Sequence, residues 1–167
     1  MNRERWIGLA VVLVVVGGFL LLRNRQQNKP LDDKAVTGEG VEIEERASEF
    51  AKQMGVTIPV DVQKAELKDA TGGTGTGFGT RKYAGGTFTH SVLAGLPDLE
   101  KGAWYEAWLV RNEPFDAVYI GKLRMAKGGW VRDYTGSLDL TDHPKVMVTR
   151  EQVDDRKPEV TVLEGSF

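Results

Sequence analysis

His90 and His143 are the only side chains in this sequence that titrate near neutrality at their ordinary pKa, so acid–base or imidazole-ligand chemistry would have to pass through them. His90 alternates with Phe88 and Val92, which in a strand turns it toward an apolar interior, while Ser91 points to the opposite face and cannot form a dyad with it. One pairing could do hydrolytic work. His90 with Glu106, the carboxylate inside the aromatic stretch "GAWYEAWLV" (102–110), would make an acid–base pair if their strands lay side by side. A histidine held within the core is the stronger reading, because neither residue brings further convergent groups.

The stretch "TGGTGTGFGT" (71–80) invites a phosphate-loop reading, but it contains neither G-x-x-x-x-G-K-[ST] nor G-x-G-x-x-G. No helical period follows to supply an amino-terminal anion site. Alternating Thr-Gly fits an extended edge strand or a flexible loop. Asp139, Asp142, Asp154 and Asp155 fall in loops without the spacing of an EF-hand and read as solvated turn residues rather than calcium ligands. The chain has no cysteine, which removes disulfides, thiolate metal sites and cysteine nucleophiles. No cofactor and no metal are expected, and the residues do not read as an enzyme.

These groups must be positioned by elements that the pattern defines. Residues 6–22, "WIGLAVVLVVVGGFLLL", are apolar without a charge or proline and would span about 26 Å as a helix at about 1.5 Å per residue. Trp6 at one edge and Arg5 and Arg23 flanking the run complete a single-pass anchor ending at Leu22, with the lipid bilayer as its partner. Residues 1–22 therefore form tail and anchor. No small-x-small site follows that would mark a cleaved signal peptide. Residues 1–30 carry Arg3, Arg5, Arg23, Arg25 and Lys29 against Glu4 alone, and acids exceed bases in the rest. An acidic remainder excludes nucleic acid as a partner, since a basic patch supplies most of such affinity.

Residues 23–40, "RNRQQNKPLDDKAVTGEG", are polar with no apolar period and read as a linker. In 41–55, Ala47, Phe50, Ala51 and Met54 fall at i, i+3, i+4 and i+7 ahead of Gly55, a short amphipathic helix expected to rest on the domain. From residue 56 to 167 short β-branched or alternating runs are separated by turn signals every eight to twelve residues: 62–67, 86–96, 103–110, 117–125, 129–137, 145–151 and 159–165. Seven or eight such strands predict an all-β domain, an antiparallel β-sandwich.

Within 103–110 the strand period puts Ala103, Tyr105, Ala107 and Leu109 on one face and Trp104, Glu106, Trp108 and Val110 on the other. Both faces are largely apolar, as in a central strand whose outer side is also covered. Glu106 then seeks a basic neighbour on the next strand, Lys122 or Arg124. The Trp104, Glu106, Trp108 and His90 positions are read first as core and second as an interaction face.

The order of "YEAWLV" (105–110), "GKL" (121–123), "KVMVTRE" (145–151) and "PEVTVLEGSF" (158–167) resembles the extracytoplasmic carboxyl-terminal domain of anti-sigma-K-type factors. Tyr105, Trp108 and Leu109 fit that family's Tyr-x-x-Trp-Leu strand, Gly121 its next strand, Val146, Val148 and Thr149 its Val-x-Val-Thr strand, and Pro158 the proline before its last strand; "HSVLAGLPDLEKG" (90–102) matches the approach to the first. The resemblance implies the fold and a domain facing outward from the membrane. It withholds sigma binding, because the family's cytoplasmic zinc domain has no counterpart in the five residues ahead of the apolar run.

The sequence thus predicts a membrane-anchored, extracytoplasmic, non-enzymatic binding module whose partner is an envelope component or a protein. One alternative is a regulatory subunit acting through its anchor and the 41–54 helix. The other is an envelope hydrolase using His90 and Glu106.

Overall fold

The structure, a computed structural model, describes residues 38–167; the expected anchor at 6–22 and most of the expected linker lie outside the described residues. Among the described residues, no helix is long and apolar enough to cross a membrane. One helix, α1 (Gly38–Gln53), precedes nine strands: β1 (Gln63–Asp69), β2 (Thr76–Ala84), β3 (Thr87–Gly95), β4 (Trp104–Arg111), β5 (Asp116–Lys122), β6 (Arg124–Ala126), β7 (Gly129–Gly136), β8 (Lys145–Glu151) and β9 (Val160–Ser166).

The strands form one antiparallel sheet in the order β5-β4-β8-β9-β1-β2-β3-β7-β6. It curls until its two edges meet, because β5 and β6 are joined through Leu123 alone. The result is close to a barrel and corrects the expected sandwich. Period-two alternation tells inward from outward residues, but it does not say whether the inward faces belong to two sheets or to one sheet rolled on itself. β6 covers β7 only from Gly129 to Val131. Beyond that point β7 meets β5 through a side chain, with Arg132 Nε donating to Ile120 O at 2.9 Å.

The interior is filled by Leu67, Phe88, Val92, Tyr105, Leu109, Ile120, Leu140, Val146 and Leu163. The glycine-rich stretch divides: 71–75 form a loop, and from Thr76 it runs into β2, which is paired on both sides with β1 and β3 and is not the edge strand expected of it. Its alternating glycines face inward. A Cβ on Gly79 would lie 3.0 Å from Val146, and one on Gly77 would lie 2.5 Å from Leu93 O. The glycine face thereby makes room for large side chains in a narrow interior. The chain then turns into β3 through Gly85 and Gly86, both at positive φ (57° and 75°), as a two-residue hairpin requires.

The amphipathic helix lies where its period places it. Ala47, Ala51 and Met54 are buried, Phe50 meets Phe78 at 5.6 Å between ring centroids, and Ala51 and Met54 join Leu93 and Val131 in a second apolar cluster outside the barrel wall. Arg46 pairs with Glu66 at 2.7 Å, and Lys64 with Glu44 at 3.1 Å. Gly55 at φ 68° ends it as the sequence signalled, with Val56 N reaching back to Ala51 O at 2.8 Å. The helix starts at Gly38, inside the stretch read as linker.

Candidate functional site

A cleft of about 720 Å³ opens between the 71–75 loop and the 95–100 segment. Tyr105, Leu96 and Val162 contribute apolar lining, and Asp98, Glu100, Arg150 and Gln152 contribute polar groups. Tyr105 is buried and donates its hydroxyl to Pro97 O at 3.2 Å, which ties β4 to the 95–100 segment. Burial pushes that hydroxyl above the ordinary tyrosine range, so it stays a donor.

The 71–75 loop has the shape of an anion cradle, but its donors are already occupied. Asp69 Oδ1 accepts from the Thr71 amide (2.7 Å), the Thr71 hydroxyl (2.7 Å) and the Gly73 amide (2.9 Å), and Oδ2 accepts from the Gly75 amide (2.9 Å). The Thr71 hydroxyl and these amides hold the Asp69 carboxyl down at about 2. The loop carries its own anion, which explains why the glycines gather here without a phosphate motif. The sequence signal was the Asp-x-Thr-Gly-Gly start of the loop, a side-chain-capped turn.

His90 faces the barrel interior. Its Nδ1 donates to Thr80 O at 2.6 Å, its Nε2 has no partner among the described residues, and its ring lies 6.0 Å from that of Phe167. Burial lowers its pKa to about 4, so the ring is neutral at pH 7 with its proton on Nδ1.

Glu106 faces the other way. The face assignment along β4 stands: Tyr105, Ala107 and Leu109 point into the core, and Trp104, Glu106 and Trp108 point out. His90 and Glu106 therefore sit on opposite sides of the wall, in strands that are not neighbours in the sheet, and do not meet.

The outer face of β4 is covered by the Gln152–Glu159 strap that links β8 to β9. Asp154 in the strap pairs with Lys122 at 3.0 Å, Arg156 lies 5.5 Å from the Tyr119 ring centre, and the Glu159 amide donates to Glu151 Oε1 at 3.1 Å. Beneath it Trp108 donates to Thr149 Oγ1 at 2.8 Å and meets Tyr119 edge-on. Trp104 donates to Glu106 Oε1 at 2.7 Å. Lys122 stands opposite Glu106 in the register, as expected, but its ammonium goes to Asp154 and over the Trp104 ring at 3.9 Å. Arg124 turns to Asp133. Among the described residues Glu106 thus has no ion pair, and burial pushes its carboxyl above the ordinary range, against the Trp104 hydrogen bond and with help from Glu151.

Compared with known protein families, characterised proteins and solved structures, the chain matches none.

The loop aspartates serve local structure. Asp139 accepts from the Thr141 amide, Asp142 holds His143 Nδ1 at 2.7 Å and also pairs with Arg111, and Asp155 accepts from the Lys157 amide. His143 is buried, its Nε2 3.1 Å from Asp116, so it ties the segment after β7 to the start of β5. Among the described residues, no three His, Cys, Asp or Glu side chains form a group that could hold a metal. Sequence reasoning missed Arg150 and Gln152 at the cleft and Glu151 beside Glu106, all on or after a strand whose pairing partners had to be known first.

Proposed function

We propose that residues 38–167 are the ligand-binding part of a membrane-tethered, extracytoplasmic module, and that the cleft between the 71–75 loop and the 95–100 segment is its binding site. The supporting observation is the cleft itself, a concave surface with mixed apolar and charged lining at the end of a barrel whose interior is packed. Residues 6–22 hold the module at the bilayer in this reading, and the likeness to anti-sigma-K-type carboxyl-terminal domains favours the outward side. The function is binding rather than catalysis, because His90 and Glu106 are held apart by the barrel wall and each is committed to structure.

The alternative of a regulator acting through its helices is less well supported. The apolar face of α1 is spent on the barrel, which leaves its acidic face outward. A photo-crosslinking residue at Gln152, on the cleft, tests the site in intact cells against one at Tyr83, exposed and outside the cleft lining. Adducts at Gln152 and none at Tyr83 support the cleft; equal capture at both positions overturns it. Digestion of the domain by protease in intact spheroplasts supports the outward orientation, and protection until lysis overturns it.

A further inference from the structure

The barrel has two unlike ends. One opens at the cleft between the 71–75 loop and the 95–100 segment. The other is formed by the β2–β3 hairpin, the β4–β5 turn and the 137–144 segment between β7 and β8. Side-chain contacts tie these pieces into one network. Lys82 pairs with Asp61, and Arg81 donates to Gln63 Oε1 at 2.8 Å and to the Thr141 and His143 carbonyls, both at 3.0 Å. His143 holds Asp116 at 3.1 Å, and Arg111 pairs with both Asp116 and Asp142. The cations of this end are thus spent within it. Glu113 and Asp139 stand without an ion pair among the described residues, which leaves a small acidic excess.

The same end carries bare apolar side chains. Val60 is 85% exposed, Phe115 73% and Leu138 64%, and Tyr83 is exposed as well. Each stands next in sequence to a residue held locally: Val60 to Asp61, Tyr83 to Lys82, Phe115 to Asp116, and Leu138 to Asp139, which accepts from the Thr141 amide at 2.9 Å. The backbone that presents them is therefore fixed. At the cleft end the exposed large apolar residues are Met125, Val153 and Val160, none above 59%. The helix shows which end the rest of the chain joins. Gly40 and Ile43 in its first turns share a shallow dent with Val60 and Val62, and Glu44 pairs with Lys64. Its last turn lies toward the cleft end, where a Cβ on Gly128 would come 3.3 Å from Gln53 O. Gly38 therefore begins at the apolar end, and residues 23–37 connect that end to the apolar run 6–22.

We propose that the end of the barrel bearing Val60, Tyr83, Phe115 and Leu138 is a bilayer-docking surface, seated in the interface of a zwitterionic membrane with the cleft turned away from the lipid. Docking rests on the anchor reading of residues 6–22, because apolar tips held at the bilayer need only weak affinity to stay there. Phe115 and Leu138 supply apolar area to bury at the boundary of headgroups and acyl chains. Tyr83, a ring with a polar tip, suits the headgroup level. The choice of zwitterionic lipid follows from charge. Recognition of anionic headgroups needs a cluster of free lysines and arginines, whereas Lys82 and Arg111 are paired with aspartates and Glu113 adds an unpaired acid.

The chain has no cysteine, so single nitroxide labels can be placed without background. Asn112→Cys and Ser137→Cys put labels at exposed positions beside an intact Phe115 and Leu138, Lys101→Cys puts one at the cleft end, and Val14→Cys puts one in the apolar run. Each full-length variant in phosphatidylcholine nanodiscs is read by relaxation with oxygen, which concentrates in lipid, and with a nickel chelate, which stays in water. The oxygen-to-nickel ratio at 112 and 137 should exceed that at 101, and should fall to the level at 101 when Phe115→Ser and Leu138→Ser are added together. A ratio at 112 and 137 equal to that at 101 overturns docking; residue 14 then reads the anchor separately, in lipid if the anchor stands and in water if it fails too. Low access to both reagents at 112 and 137 marks a protein neighbour, a second copy included, and overturns the lipid assignment. A high ratio that persists in the doubly substituted chain also overturns it, since Phe115 and Leu138 would not be what holds the surface there.

Discussion

Arg132 and Gly121 meet face to face across the seam where the barrel closes. The guanidinium packs so closely on Gly121 that a Cβ there would lie 2.6 Å from its central carbon, and Gly121 itself sits at φ 128°, where side chains are rarely tolerated. This contact replaces the main-chain ladder that β5 and β7 lack. Arg132 Nε reaches Ile120 O because Ile120 is the extra residue of a bulge: Ala107 pairs with Gly121 and Trp108 with Tyr119.

Gly121→Ala should therefore destabilise the fold by about 1–3 kcal/mol, combining backbone strain with a displaced guanidinium. Urea titration followed by circular dichroism measures it. Arg132→Met keeps the glycine conformation and loses only the bridge to Ile120, so a smaller loss is expected, about 1 kcal/mol. Equal losses in the two variants would mean that the close approach at Gly121 matters little.

The inward glycines of β2 should not be equivalent. A methyl at Gly77 meets backbone, Leu93 O at 2.5 Å and Ala94 Cα at 3.3 Å, which cannot step aside. A methyl at Gly79 meets the Val146 side chain at 3.0 Å, which can shift by a few tenths of an ångström. Gly77→Ala is expected to cost more than Gly79→Ala, with the former in the range of about 1–3 kcal/mol seen for overpacked cores. Thermal unfolding of both variants gives the order, and a reversal would mean that the glycine face is not set by lack of room.

Much of this was legible in the strand pattern, and the failures have a common cause. The two faces of β4 could be read from "AWYEAWLV" because alternation is a local property of the backbone. The Ala47, Phe50, Ala51, Met54 stripe placed α1 for the same reason. β2 could not be read, since glycines carry no hydrophobic signal and their role is defined by Val146 and Phe167, far away in sequence. Lys122 was legible as the neighbour of Glu106 in register, but not its capture by Asp154, which arrives on a strap whose path no periodicity records. The barrel, the seam and the cleft all depend on strand order, and strand order is a long-range property.

His90 should make stability depend on pH in the mildly acid range. Its pKa is about 4 in the folded protein against 6.5 when exposed, so the unfolded chain binds a proton that the folded chain refuses. Its contribution is complete above about pH 6.5 and is lost progressively as pH falls toward 4. At about 1.36 kcal/mol per pKa unit the loss is on the order of 3 kcal/mol. His90→Phe, set between Phe88 and Phe167, removes the titrating group while leaving Thr80 O without its donor. The variant is expected to be less stable at pH 7 yet flatter between pH 6.5 and 4, measured as the difference in urea midpoint from wild type; parallel curves would mean that His90 takes up its proton without unfolding.

Asp69 should act in the same direction at lower pH and through the loop. Its carboxyl is held at about 2, against 3.8 unperturbed, by the Thr71 hydroxyl and the amides of Gly73, Thr71 and Gly75. Its contribution is present above about pH 3.8 and is lost as pH falls toward 2. Asp69→Asn at neutral pH removes the charge and replaces one acceptor oxygen with a donor, so at least one of the three amides loses its partner. Amide exchange at Thr71, Gly73 and Gly75 should quicken while the β2–β3 hairpin stays protected, because the anchor is local to one wall of the cleft. Exchange that quickens equally through β2 would show that the loop and the barrel unfold as one unit and that Asp69 supports the whole fold.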